Sequence, residues 1–291
     1  MSENKTSEKT VRSHPFCQAH PVIAMILFSF AGIVLIELLG GVFTLLLGLI
    51  MDTKAAGNIG TAAAGVAVLV LFKLWFSPQF KGQSKSSLSM KWTLLMTLPG
   101  IIYIVYTFIS QLIQFNFYFK PSFLYATRAM AAGFAEEPMF RGLAIPIGMG
   151  FIKNEKRVWL VPIATSVCFG LFHLGNITVG ATVFNGILQA FCSGMHGFYY
   201  GALLAATGSI IPSMLIHAVY DFVCFAGDPT LSDGIMAGEL TTFAVAESVV
   251  VSIVMVAAGV YLLKKLGDQK MLSVWKKKWS QDDPVSAEEN N

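Results

Sequence analysis

The segment 124–152 is almost wholly apolar, yet it carries a cluster of charged residues and a proline: Glu136, Glu137, Pro138 and Arg141. At about 1.5 Å per residue, a helix of this length crosses a bilayer. A charge at the bilayer centre costs roughly 2.5–3.5 kcal/mol on insertion scales, and three of them lie together here. Any fold of this chain must therefore surround these groups with protein or water.

An ion pair accounts for two of the three charges. Glu137 and Arg141 are four residues apart and share one helix face. Glu136 points about 100° away around the helix, where the local sequence offers no partner. Because an unpaired carboxylate inside a membrane usually has a functional role, Glu136 is a candidate site residue.

The composition excludes an ordinary soluble domain. The chain is 55% hydrophobic and only 13% charged, whereas soluble domains are about 25% charged. We therefore expect membrane lipid as a partner and no nucleic acid. The four cysteines show no paired spacing, which favours packing roles over disulfides or metal ligation.

The apolar segments predict an all-α, polytopic membrane helix bundle with about eight transmembrane helices. The first segment, 21–50, exceeds one perpendicular crossing, so it predicts either one tilted helix or two helices with a bend near Gly40. Glu37 within it is expected to bond to a neighbouring helix. The predicted spans are 21–50, 59–76, 92–115, 124–152, 158–174, 183–207, 209–226 and 241–263.

The loops give the chain its predicted orientation. With a cytoplasmic N-terminus, alternating loops place most of the 20 lysines and arginines on the cytoplasmic side, as the positive-inside rule requires. We expect a multi-pass cell-membrane protein with both termini in the cytoplasm. The predicted units are a disordered leader (1–20), three helices (21–123), a catalytic core of four helices (124–226), a loop and last helix (227–265), and a tail (266–291).

The tail combines lysines with Trp275 and Trp279. This pattern predicts a segment that lies against an anionic membrane surface or extends into solvent.

Two further apolar spans carry polar groups at helical spacing. His173 follows Phe169 by four residues, and Asp221 follows His217 by four, so each pair shares a helix face. Together with Glu136 they could converge on one water-filled pocket suited to hydrolysis. There a carboxylate would take a proton from water, and imidazoles would assist it or stabilise an oxyanion.

The same groups could instead bind a divalent metal such as zinc, because two histidines with carboxylates form a known ligand type. The candidate ligands are Glu136, His173, His217 and Asp221. The sequence contains neither the HExxH motif of zinc proteases nor the GxSxG motif of serine hydrolases.

Pro138 removes one backbone hydrogen bond from the predicted helix. Because it lacks an N–H group, the Phe134 carbonyl loses its helical partner, which predicts a kink and a carbonyl facing a water-filled cavity. In the sixth span, Gly194, Gly197 and Gly201 form a stripe that predicts close helix packing.

Three motifs resemble those of a known family. EEPMFRG, FGLFH and HAVYD, which begin at Glu136, Phe169 and His217, are similar to the EExxxR, FxxxH and HxxxN/D motifs of the CPBP family. This is the CAAX-protease and bacteriocin-processing (Abi) group, which includes the Ras-converting CAAX endopeptidase. The resemblance covers roughly 124–226 and implies an intramembrane endopeptidase with eight helices.

The resemblance also implies roles for the matching residues. Glu136 would activate the water and His173 would assist it. His217 and Asp221 would stabilise the oxyanion, and the supporting residues would be Glu137, Arg141 and Phe169.

Asp221 departs from the asparagine that is usual in the prenyl-protease branch. An ionised aspartate cannot donate a hydrogen bond to an oxyanion. Asp221 is therefore either protonated, or orients His217, or helps to hold a metal. Whether this family uses a glutamate-activated water or a metal stays open at this point.

We expect a peptidase, of glutamate type or metal-dependent, that cleaves a membrane-associated peptide or protein, either lipidated or bearing a leader. One alternative is a non-catalytic immunity or partner-binding protein that retains the fold. A transporter that uses Glu37, Glu136 and Glu137 is less well supported, because the sequence lacks the internal repeats typical of transporters.

Overall fold

The computed structural model describes residues 14–76, 80–231 and 235–279. These ranges are predominantly helical, so the predicted all-α class is confirmed. The α-helices are α1 (Pro15–Ala19), α2 (Pro21–Leu47), α3 (Thr53–Leu71), α4 (Met90–Gln114), α5 (Phe123–Ala131), α6 (Ala144–Phe151), α7 (Leu160–Phe172), α8 (Val183–Thr207), α9 (Ile211–Gly227), α10 (Thr242–Leu266) and α11 (Asp268–Lys278).

Five helical segments are long and apolar enough to cross a membrane: Pro21–Leu47, Thr53–Leu74, Met90–Gln114, Leu160–Val179 and Thr242–Leu266. They support a polytopic membrane bundle. The count of eight also needs α8, the shorter apolar α9 and the segment 124–152, and it stays a prediction. The region 21–50 contains a single helix, α2, in which Gly40 packs against the backbone of Thr61 in α3.

Segments that the sequence assigns to the cytoplasmic side meet at one end of the bundle, which we call the basic end (80–89, 153–159, 207–210 and 267–279). The Ser87 amide donates a hydrogen bond to the Thr207 carbonyl. The Lys81 amide donates to the carbonyl of Lys278, at the end of α11.

The segments assigned to the other side also meet, at what we call the loop end (115–122, 174–182, 226–231 and 235–241). The Lys120 amide donates to the Ala226 carbonyl. The Asn185 side chain donates to the carbonyls of Met236 and Gly238. Both sets of contacts agree with the alternating path that the sequence predicts.

The chain termini differ from their predictions. Residues 15–19 of the expected leader form α1, whose Cys17 is buried, while residues 1–13 lie outside the described part. The expected tail folds back as α11, in which Trp275 is fully buried and donates to the Ala205 carbonyl at 2.9 Å. Trp279, which follows α11, donates to the Pro146 carbonyl.

The apolar spacing explains why α11 packs in this way. Met271, Val274 and Trp275 lie on one face of the helix and are all buried. The two tryptophans therefore contact protein rather than lipid or solvent. The expectation of a surface-bound or solvated tail is wrong for residues 268–279, and residues 280–291 lie outside the described part.

The segment that links α5 to α6 is widened at the point where the sequence predicts a kink. Two π-helical turns, Ala132–Glu136 and Pro138–Gly142, lie on either side of Glu137. The Leu143 amide donates to the Pro138 carbonyl, five residues earlier. Because a π-turn pairs residues i and i+5, the missing N–H of Pro138 need not leave the Phe134 carbonyl without a donor.

Two glycines allow α3 and α9 to pack closely against this widened segment. A Cβ on Gly65 of α3 would lie 1.9 Å from the Phe134 carbonyl oxygen. On the other side, a Cβ on Gly133 would lie 2.5 Å from the Met214 carbonyl oxygen of α9. The Phe134 carbonyl thus faces helix backbone, and the expectation that it faces a water-filled cavity is wrong.

We predict that Gly65→Ala destabilises the fold. The added Cβ meets backbone, which cannot rotate away, so the free energy of unfolding should fall by about 1–3 kcal/mol or more. Denaturant unfolding in detergent measures this.

Gly57→Ala in the same helix is the matched control, because its Cβ would approach only a Thr44 methyl at 4.0 Å. The control should leave stability unchanged or slightly higher. Equal losses in the two variants would contradict the described contact between α3 and the π-turn.

Candidate active site

A single carboxylate oxygen lies at the centre of the site. Glu137 Oε1 is 3.0 Å from Nη1 of Arg141 and 3.0 Å from Nδ1 of His217. The Glu137 and Arg141 side chains are fully buried. The ion pair expected between these two residues is therefore present, and the same glutamate also binds a histidine of α9.

Aromatic rings and a glycine enclose the Arg141 guanidinium. Its Cζ lies 3.9 Å from the centre of the Phe169 ring and 5.9 Å from that of Tyr200, within range of cation–π attraction. A Cβ on Gly197 would lie 2.4 Å from Arg141 Nη2, so only glycine fits there without displacing the guanidinium. Gly197 thus makes room for Arg141 as well as for the approach of α8.

Three neighbours fix the orientation of His217. Glu137 holds Nδ1, the Tyr200 ring stacks on the imidazole with centroids 5.4 Å apart, and the Phe169 ring meets it edge-on at 5.9 Å. Since a carboxylate accepts, Nδ1 carries the proton. Glu137 therefore fills the orienting role that was one of the options for Asp221.

The other imidazole nitrogen points between two carboxylates. His217 Nε2 lies 3.8 Å from Glu136 Oε2 and 3.8 Å from Asp221 Oδ2. These distances are too long for direct hydrogen bonds, but a bridging water can join groups at such separations. Glu136, His217 and Asp221 thus converge as the sequence predicts.

His173 ends α7, and its imidazole packs edge-on against Phe169 with centroids 4.6 Å apart. Its Nδ1 lies 2.9 Å from the Phe169 carbonyl oxygen. Because a carbonyl only accepts, Nδ1 must donate, which leaves Nε2 of the neutral ring as an acceptor. The rings of His173 and His217 both contact Phe169 edge-on, so the two imidazoles belong to the same site.

Exposure divides the site into two layers. The side chains of Glu136 and Asp221 are 25% and 19% exposed, whereas that of His217 is 7% exposed. Glu136 Oε2 is nevertheless buried and has no hydrogen-bond partner within the described residues. We call the whole arrangement the cup. Its floor is Glu137, Arg141, Phe169, Tyr200 and His217, and its rim is Glu136, His173 and Asp221.

The metal site that the sequence allows stays a prediction. In the described part of the chain, no group of three or more histidine, cysteine, aspartate or glutamate side chains is arranged to hold a metal ion. The Nδ1 atoms of His173 and His217 are engaged by acceptors within the protein, which is the bond that a metal-ligating histidine also makes through its other nitrogen. These contacts therefore do not decide between a metal and a glutamate-activated water.

Sequence reasoning missed two residues that position the cup. Tyr200 stacks on His217 but belongs to no recognisable motif. Gln83 donates from Nε2 to the Gly142 carbonyl at 2.6 Å, and its backbone carbonyl accepts from the Ile210 amide. Gln83 thus links the end of the π-turn to the start of α9, and no local pattern in the sequence signals this role.

Comparison with known proteins identifies a related family. Residues 118–223 match the family model described as Type II CAAX prenyl endopeptidase Rce1-like. All the predicted site residues lie inside that range, and the match confirms the resemblance drawn from the three motifs. A search of curated proteins and a search of solved structures found no match.

The adjacent glutamates should respond differently to neutralisation. Glu137→Gln leaves Arg141 buried without its counter-charge, so we expect a loss of about 3–5 kcal/mol in the free energy of unfolding. Glu136→Gln removes the charge of a carboxylate that accepts no hydrogen bond at Oε2 from the described residues and lies 3.8 Å from His217 on the partly exposed rim, and stability should stay within about 0.5 kcal/mol. Denaturant unfolding of both variants in detergent checks this contrast, which equal losses would refute.

Proposed function

We propose that this chain, whose residues 118–223 match a CAAX prenyl endopeptidase family model, is an intramembrane endopeptidase of the CAAX-protease (CPBP) type. It hydrolyses a peptide bond in a membrane-associated peptide or protein. The observation that carries the proposal is the unpartnered Glu136 Oε2, which lies 3.8 Å from a histidine whose other nitrogen is fixed. A carboxylate beside an oriented imidazole is the arrangement that water activation needs.

Glu136 and His173 act on the water. One water proton bonds to Glu136 Oε2 and the other to His173 Nε2, so the oxygen lone pair points at the scissile carbonyl. As the water attacks, Glu136 takes its proton and later delivers it to the leaving amine. The second water proton stays on the hydroxyl of the tetrahedral intermediate, bonded to His173 Nε2, and remains with the carboxyl group of the product when the C–N bond breaks.

His217 acts on the carbonyl oxygen. The carboxylates of Glu136 and Glu137 lie beside its ring, at 3.8 Å and 3.0 Å, and compensate for a positive charge on it. A protonated Nε2 can therefore donate to the developing oxyanion while Nδ1 stays bound to Glu137. The fixed orientation means that little reorganisation is needed during the reaction.

We assign Asp221 the second donor to the oxyanion. In its protonated form, Oδ2–H would stand where the amide of asparagine stands in the related proteases. Its position on the rim, 3.8 Å from His217 Nε2, suits two donors to one oxygen. The assignment requires that Asp221 carry a proton at the working pH.

A non-catalytic immunity or partner-binding role is less well supported. Such a protein would have no need for an unpartnered carboxylate in its interior. It would also function normally with glutamine at position 136, so complementation by Glu136→Gln separates the two roles.

We predict that Glu136→Gln lowers kcat/KM on a membrane-anchored reporter peptide by roughly 10²–10⁴-fold, the usual contribution of a general base. Glu37→Gln is the matched control, because Glu37 is also an acid within a membrane-spanning helix but is exposed and lies on α2. The control should keep wild-type activity. Full activity of Glu136→Gln would refute the role of Glu136.

We also predict that Asp221→Asn retains most activity but changes its pH dependence. As pH rises, wild-type Asp221 loses its proton and can no longer donate, so activity falls. Asparagine donates at every pH, so the variant should lack this alkaline decline.

Asp221→Ala is the control for these pH profiles, and we expect it to lose roughly 10²–10³-fold in kcat, as for other oxyanion donors. Identical pH profiles in the wild type and the asparagine variant would contradict the donor role.

A further inference from the structure

The cup is closed toward the basic end of the bundle. In the segment 124–152, every residue from 137 to 149 is buried, whereas the residues from 123 to 126 are exposed or half-buried. In α8, all residues from 197 to 207 are buried, whereas many between 182 and 196 are not. The half of the bundle nearer the basic end is thus closely packed at the level of the cup.

The three segments that carry site residues all place the rim on the side away from the basic end. The chain runs toward the basic end from Glu136 to Arg141, and away from it in α7 and α9. In each case the floor residue lies nearer the basic end: Arg141 relative to Glu136, Phe169 relative to His173, and His217 relative to Asp221. The rim therefore faces the loop end.

The basic end is covered as well. Gln83 is buried within the 80–89 loop, and the same loop covers Thr207 and Ser209 through hydrogen bonds that involve Ser87 and Ser84. Trp275 donates to the Ala205 carbonyl of α8, and Trp279 donates to the Pro146 carbonyl of α6. The two indole rings thus fill the space next to these helices at the basic end. Within the described residues, no comparable cover lies over the rim, where Glu136 and Asp221 remain partly exposed.

The distribution of lysines and arginines assigns the two ends of the bundle to the two sides of the membrane. Most of the described basic residues outside the spans lie at or beside the basic end, whereas the loop end has Lys120 with Asp228 and Glu239. The positive-inside rule assigns the more basic end to the cytoplasm. The rim of the cup accordingly faces the opposite compartment.

We infer that the site takes its substrate from the extracytoplasmic side: a membrane-anchored peptide or protein whose scissile bond lies at or above the outer leaflet. This inference rests on the proposed peptidase function for its substrate class, but the direction of the opening does not. A lipidated protein with its cleavage site in the cytoplasm would meet the covered end of the bundle.

Cysteine labelling in intact cells tests the direction without requiring activity. In a variant with alanine at Cys17, Cys168, Cys192 and Cys224, single cysteines are introduced one at a time. Thr178→Cys reports the loop end, Ser273→Cys the basic end and Asp221→Cys the rim, and the buried Ser213→Cys is the matched control in α9. The probe is a membrane-impermeant maleimide, added before or after permeabilisation.

We expect Thr178→Cys and Asp221→Cys to react in intact cells, Ser273→Cys to react only after permeabilisation, and Ser213→Cys to stay unreactive until the protein is denatured. If Asp221→Cys reacts only after permeabilisation, or in neither condition, the inference is overturned. If Thr178→Cys and Ser273→Cys exchange their behaviour, the orientation is reversed and the inference also fails.

Failure of the peptidase proposal would be visible separately. It would appear as full cleavage by Glu136→Gln, or as no cleavage of reporters presented on either side, while the labelling pattern could still hold. With activity present, a soluble fluorogenic peptide should be cleaved when added to spheroplasts. Inverted vesicles should cleave it at least tenfold more slowly until detergent opens them.

Discussion

The carboxylate of Glu137 is the interaction on which the rest of the site depends. One of its oxygens binds both Arg141 and His217 at 3.0 Å, in a place that neither solvent nor lipid reaches. A buried guanidinium without a counter-charge would be strongly destabilising, so the glutamate is fixed by the arginine as firmly as it fixes the histidine. The contact also joins α9 to the widened segment between α5 and α6.

The π-turns give the two adjacent glutamates separate roles. A regular helix would set Glu136 and Glu137 about 100° apart, and widening on both sides of Glu137 allows each to meet a different environment. Glu137 lies in the closed floor, whereas Glu136 reaches the open rim. Stability and the proposed chemistry are thus carried by neighbouring residues of the same type, and the direction of the cup follows from which of them is covered.

Local spacing predicted much of this arrangement. The four-residue intervals of Glu137 with Arg141 and of His217 with Asp221 placed each pair on one helix face, and the structure has both pairs close together. The bond from Glu137 to His217 spans 80 residues, and no local pattern signals it. The docking of α11 and the tie made by Gln83 were missed for the same reason, because both depend on distant backbone carbonyls. The π-turns around Glu137 were not predicted, and Gly65 and Gly133 allow α3 and α9 to pack closely against this widened backbone.

A double-mutant cycle between Glu137 and His217 tests the central claim most directly. The free energy of unfolding is measured in detergent for the wild type, Glu137→Gln, His217→Gln and the double variant. If one carboxylate oxygen holds both partners, Glu137→Gln should cost less when His217 is already replaced, with a coupling of about 0.5–3 kcal/mol. Additivity within about 0.3 kcal/mol would show that the two side chains do not share the bond and would contradict the account of how the cup is built.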